Sequence, residues 1–202
     1  MRENQGSPEK AIEKLARRLK RPREVQRFLR TLPYNHEKGG DTLRSAASAL
    51  AFGSAHCLEA AFIAAAILER NGYPALVASL ESQDMLDHVI FLFRENGRWG
   101  SVARSRDEGL HGRPPRFRSL RDLAWSYSDP FIDKTGRLVG YQAANLDDTG
   151  ADWRYSVRNV WKVENFLLDI RHHRLRSSEV GYRRIHRRYL AEGHPPPEKF
   201  WW

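Results

Sequence analysis

Near the start of the chain apolar residues recur every three or four positions. Ile12, Leu15 and Leu19 share one face, and Val25, Phe28, Leu29 and Leu32 share another, the spacing of amphipathic helices. Ser7, Pro8 and Glu9 supply a cap, a first-turn proline and a first-turn acid, so a first helix is expected over about 8 to 20. Pro22 opens a second short helix that Pro33 stops, and Tyr34 to Gly40 reads as a loop. A third helix bearing Leu43, Ala46, Ala47 and Leu50 is expected, with Asp41 as its cap and Gly53 closing it. From Ala55 to Arg70 the run AHCLEAAFIAAAILER is apolar on nearly every side. A helix with no polar face belongs inside a core. Ser54 is its expected cap and Asn71-Gly72 its end.

Beyond Gly72 the period changes. Ala75 to Leu80, His88 to Arg94 and Arg98 to Arg104 are short apolar or alternating runs, and Asn96-Gly97 joins the last two. Both residues of such a turn must accept positive φ, so Asn-Gly between strands predicts a tight hairpin. A short helix over Ser119 to Tyr127, a turn at Asp133 to Gly136, a strand over Arg137 to Leu146 and helices over 160–170 and 178–192 follow. His194 and the three prolines after it end regular structure, leaving Phe200, Trp201 and Trp202 on a tail.

Composition narrows the class. With 202 residues, 41% hydrophobic and six tryptophans, the chain is expected to fold as one domain over 1–202, with a core at about 41–146 between helical N-terminal and basic C-terminal extensions. One cysteine cannot form an internal disulfide, and the first thirty residues are charged throughout, so a cytoplasmic location is expected. The longest apolar stretch, Cys57 to Leu68, contains Glu59 and is about half the roughly 20 residues that cross a bilayer. No membrane segment is expected.

The formal charge of +9 favours acidic partners in a general way. Residues 171–190 hold seven arginines and three histidines. That stretch reads as a charged helix face with Val180, Ile185, Tyr189 and Leu190 packing inward, in preference to a nucleic-acid site. His172, His173 and His186 lack metal-ligand spacing, so no metal and no cofactor is expected.

Chemistry gathers at Cys57. In the first turn of a buried helix the backbone N–H groups are unpaired and the dipole is positive. A thiolate is stabilised there, and the same amides can hold an oxyanion. His88 opens a strand after that helix and is the candidate base. His56 adjoins Cys57 but is expected to point elsewhere around the helix, as a surface or supporting residue. Tyr34, Asn35 and Arg44 read as ordinary loop and helix-surface residues. If Asn96 and Gly97 are the turn, counting back along both arms brings Ser105 opposite His88 with Asp107 as its diagonal neighbour, roughly 7 to 8 Å away. Asp107 could then orient the imidazole, while Asp87 points to the other face.

The run SAHCLEAAFIAAAILERNGYPALVASL followed by DHVIFLFRENGRWGSVARSRD, over about residues 54–107, resembles the transglutaminase-like superfamily of papain-related cysteine enzymes. The resemblance implies an α+β fold in which a buried central helix packs on an antiparallel sheet, with flanking N- and C-terminal helices. It also implies Cys57 as nucleophile, His88 as general base and an acid on the following strand. The chain departs from that pattern over Trp99 to Ala103, which holds no acid, so the third role falls to Asp107 or Ser105. The expected activity is hydrolysis or acyl transfer at an amide or peptide through an acyl-enzyme. The alternative is a catalytically inactive module that binds nucleic acid or an acidic partner through its basic surfaces.

Overall fold

The computed structural model describes residues 7–194, so Phe200, Trp201 and Trp202 lie outside the described residues. Helices α1 (Pro8–Arg18) and α2 (Pro22–Thr31) form where the apolar spacing predicts them, each opened by its proline. Helix α3 (Ala46–Phe52) starts later than the sequence suggests. Its cap is Ser45, whose hydroxyl accepts from the Ser48 N–H at 3.2 Å, and not Asp41. Gly53 closes it with φ 72°, a left-handed value that glycine adopts without strain.

Helix α4 (Cys57–Leu68) is buried along almost its whole length. Its cap is His56, where Ser54 was expected. Ala55 is held in a parallel bridge with Tyr34, which keeps the backbone extended up to His56. Cys57 is therefore the first helical residue.

Six strands follow: β1 (Leu76–Ser82), β2 (His88–Glu95), β3 (Arg98–Val102), β4 (Arg113–Phe117), β5 (Leu138–Asn145) and β6 (His173–Arg174). They form one antiparallel sheet in the order β4-β3-β2-β1-β5-β6. Asn96 and Gly97 take φ 49° and 73°, and Glu95 pairs with Arg98 as the turn requires. The predicted register holds from there to Phe91 opposite Val102. There the arms part, so Ser105 does not become a ladder partner of His88. Strand β4 was not foreseen because Pro114 and Pro115 argue against a strand; it sits at the sheet edge, where a missing N–H is tolerated.

Both faces of the sheet are covered. Val77, Val89, Phe91, Phe93 and Val102 pack with α1 to α4 and α6 (Trp161–Asp169) in one apolar cluster. Ala78, Leu80, Ile90 and Leu92 join a second with Tyr127, Phe131 and α5 (Leu120–Trp125). Burial from two sides explains why β2 reads as a continuous apolar run. The fold is α+β, with a central helix on an antiparallel sheet.

Helix α7 (Glu179–Glu192) departs from expectation. Ile185 and Tyr189 are half-buried, but Val180 and Leu190 are exposed. It is fastened through Arg137, which pairs with Glu179 at 2.9 Å and stacks over Tyr182. Among the described residues no helix is long and apolar enough to cross a membrane.

Candidate active site

The start of α4 is built by a buried carboxylate. Glu59 is fully buried, and its two oxygens accept from Arg44 Nε at 2.7 Å, an Arg44 terminal nitrogen at 2.8 Å and the Arg44 N–H at 2.9 Å. They also accept from the His56 N–H at 3.1 Å and Asn35 Nδ2 at 3.3 Å. Burial opposes ionisation of Glu59, but the Arg44 guanidinium and the His56 ring hold its carboxyl below the usual range. One carboxylate thus joins three segments: the Asn35 loop, Arg44 and the residue before the nucleophile. The pattern His56-x-x-Glu59 is a capping box with histidine at the cap, and that signal could have marked His56 and Glu59 in the sequence.

His56 is consequently turned back along the helix start and not away from it. Its Nδ1 accepts from the Leu58 N–H at 3.3 Å and its Nε2 lies 3.0 Å from the Thr42 carbonyl. Burial works against a charge on the ring. The Cys57 sulfur and the Glu59 carboxylate outweigh it and pull the pKa up to about 9. The long Leu58 contact is the one that protonation gives up.

Cys57 is half-buried between two imidazoles. Burial raises its pKa, but hydrogen bonds from His56 and His88 and their positive charges carry it well below the ordinary thiol value. The Tyr34 hydroxyl lies beside the Cys57 backbone N–H, and burial followed by the nearby thiolate raises the phenol's pKa. A neutral O–H donor therefore stands beside the first free amide of α4. Arg104 lies over the Tyr34 ring, 5.8 Å from its centroid.

His88 is buried and rests edge-on against Tyr127, with ring centroids 6.1 Å apart. Its Nε2 lies 2.8 Å from the main-chain oxygen of Leu110. The carboxylate of Asp107 is turned elsewhere, 3.6 Å from Arg106 and 3.9 Å from His194, while its N–H donates to Ser105 Oγ at 3.2 Å. Asp87 is engaged with the Ser82 N–H at 3.0 Å and Ser79 Oγ at 3.4 Å. The contact that orients His88 is thus a backbone carbonyl.

That carbonyl is braced by Arg113, almost completely buried, which the sequence did not mark. One terminal nitrogen of Arg113 donates to the His111 oxygen at 2.6 Å and the other to the Gly109 oxygen at 2.8 Å, the two carbonyls flanking Leu110. Its guanidinium lies over Tyr127 at 4.0 Å. Upstream, Gln26 donates to the Ala103 oxygen and accepts from its N–H, each at 2.9 Å, which anchors the chain where it leaves β3.

These residues open on a cleft of about 600 Å³ lined by Tyr34, His56, Cys57, His88, Ser105 and Asp107, among others. Asn35 lines it too, whereas Arg44 lies behind it against Glu59. Among the described residues no group of histidines, cysteines and acids is arranged to hold a metal ion. A half-buried thiolate, an oriented imidazole and two donors near the sulfur are the parts needed for nucleophilic attack on a carbonyl.

No family model matches the chain. It is 25% identical to the mouse (Mus musculus) protein tubulinyl-Tyr carboxypeptidase 1 over 178 residues, which cover 74% of this chain and 46% of that protein. The chain thus spans about half the length of the curated relative it matches. Among solved structures it is similar to Legionella pneumophila LapG, with a TM-score of 0.42 and 14% identity over 71% of this chain and 82% of that one. The sequence likeness is thus to a protein named as a carboxypeptidase.

Proposed function

We propose that the protein hydrolyses an amide or peptide bond through a thioester at Cys57. The observation that carries this reading is the half-buried Cys57 at the first position of α4, its sulfur beside His56 and His88 in a cleft and its pKa well below the ordinary thiol value. The thiolate attacks the carbonyl carbon, and the oxyanion is held by the Cys57 N–H and the Tyr34 hydroxyl. The C–N bond breaks as the His88 imidazolium gives its proton to the departing amine. A water then loses a proton to His88, attacks the thioester and releases the carboxylic acid and the thiolate. The mouse relative is a carboxypeptidase by name, which supports a peptide as the substrate class.

The test is cleavage of a peptide library read by mass spectrometry, with iodoacetamide labelling of Cys57 followed against pH. The expected result is new peptide termini with wild type and none with Cys57→Ser, and labelling below about pH 7 that falls when His88 is replaced by alanine. Added hydroxylamine intercepts the thioester and leaves a hydroxamate in place of the carboxylic acid, which identifies the acyl-enzyme by mass. No cleavage, together with identical labelling profiles near pH 8.5 for wild type and His88→Ala, overturns the reading.

A further inference from the structure

The cleft at Cys57 carries several exposed apolar side chains and a lining richer in acids than the chain as a whole. Nine large hydrophobic residues are exposed among the described residues, and four of them line this one cleft: Met85, Leu86, Trp161 and Leu168, at 87%, 60%, 37% and 59% exposure. Such concentration marks a surface that something covers. On one wall Trp161, Glu164 and Leu168 follow helical spacing along α6, which puts a carboxylate between two apolar side chains. On the other, Met85 and Leu86 stand on the loop between β1 and β2. That loop is braced by Gln83 Nε2 donating to the Thr135 oxygen at 2.7 Å and by Thr135 Oγ1 donating to Asp84 at 2.8 Å.

The chain carries +9, yet seven acidic residues line the cleft against one arginine and four histidines, of which His56 is held charged by Cys57 and Glu59. That arginine, Arg106, is already paired with Asp107. Glu37 is partly engaged, accepting from the Thr42 N–H at 2.8 Å. Asp41 and Glu164 make no hydrogen bond or ion pair among the described residues. Burial raises the Glu164 pKa; the His56 ring opposes the rise, and Glu37, Asp41 and the Cys57 thiolate add to it, so these acids share one partly shielded space. A cation entering there relieves that repulsion, while an anion adds to it.

We propose that this groove takes an extended peptide segment with a lysine or arginine beside apolar residues. The cationic group meets Asp41 and Glu164, and the apolar side chains meet Trp161 and Leu168 on one wall and Met85 and Leu86 on the other. This deepens the hydrolase reading, on which it rests, by naming the substrate class.

Because Cys57 is the only cysteine, the field in the cleft can be read without any turnover. The full chain is treated with a trimethylammonium and a sulfonate methanethiosulfonate, and both rates are normalised to a small free thiol. The expected result is a preference for the cationic reagent of about tenfold or more, since charged clefts change on-rates by at least that factor. It should shrink at about 0.5 M salt and approach parity in Asp41→Asn/Glu164→Gln. Equal rates with wild type overturn the charge assignment.

In the second arm, fluorescent Lys-Leu-Trp-Lys and Glu-Leu-Trp-Glu peptides are titrated into Cys57→Ala. At least about fivefold tighter binding of the lysine peptide, lost in the double neutral variant, supports the proposal; equal affinities overturn it. Charge preference without cleavage leaves the groove standing and sinks the hydrolase, whereas cleavage without charge preference does the reverse.

Discussion

His88 points its Nε2 at the main-chain oxygen of Leu110, 2.8 Å away, and no carboxylate takes that place. A carbonyl accepts the Nε2–H and so fixes the tautomer in which Nδ1 is the nitrogen left to take a proton. Unlike a carboxylate, it brings no full negative charge to stabilise the imidazolium, so more depends on how rigidly the loop holds it.

The first prediction separates the two candidate orienters. Asp107→Ala should change the rate of Cys57 labelling or peptide cleavage by less than about fivefold, whereas His88→Ala should cost about 10² to 10⁴-fold, the usual share of a general base. Equal losses in both variants would return the orienting role to Asp107.

Arg113 is expected to act on His88 through Leu110. Arg113→Lys keeps a cation but lacks the planar fork that spans the Gly109 and His111 oxygens. The variant should lose about 10 to 100-fold in labelling of Cys57 at neutral pH, the range typical for residues that support a working histidine. Its labelling profile should also move towards that of His88→Ala. Circular dichroism checks that the variant is folded, and an unchanged profile in a folded variant sinks the idea.

Glu59 tests the foundation of the site. Glu59→Gln leaves the Arg44 guanidinium, only 11% exposed, without its carboxylate. Breaking a buried pair from one side costs about 3 to 5 kcal/mol, to be measured by urea denaturation at neutral pH. The folded-state pKa of Glu59 is depressed. Its stabilising contribution is therefore present above the unfolded value of about 4.3 and is lost as pH falls through the folded one.

His111 should add an earlier loss on acidification. Burial, opposed by the Ser105 carbonyl and reinforced by Arg104, brings its pKa down to about 4. Between about pH 6.5 and 4 the unfolded chain binds a proton that the folded one refuses, so stability rises with pH across that window. Wild type should lose on the order of 3 kcal/mol from pH 7 to 4 through this residue. His111→Gln should flatten that part of a urea-stability curve, and identical curves would refute it.

Much of the fold was legible because local rules agree with the tertiary result. Pro8 and Pro22 open helices, Gly53 and Gly72 close them, and Asn96-Gly97 turns a hairpin at the positive φ that these residues accept. The errors fell where capping partners compete. Asp41 and Ser54 are both good caps by residue type, but Ser45 and His56 hold those places.

By itself the sequence determined the central helix and the placing of Cys57 in its first turn, since an unbroken apolar run with glycine after it has one stable arrangement. It also determined the hairpin and its register close to the turn, and set His88 at the start of the strand. Which group faces His88 was decided by tertiary structure alone. The strand pairing stops at Val102, and beyond it the path follows long-range contacts of Gln26 with Ala103 and of Arg113 with the carbonyls around Leu110. A backbone carbonyl carries no side-chain signature, so no residue type in the chain could announce it.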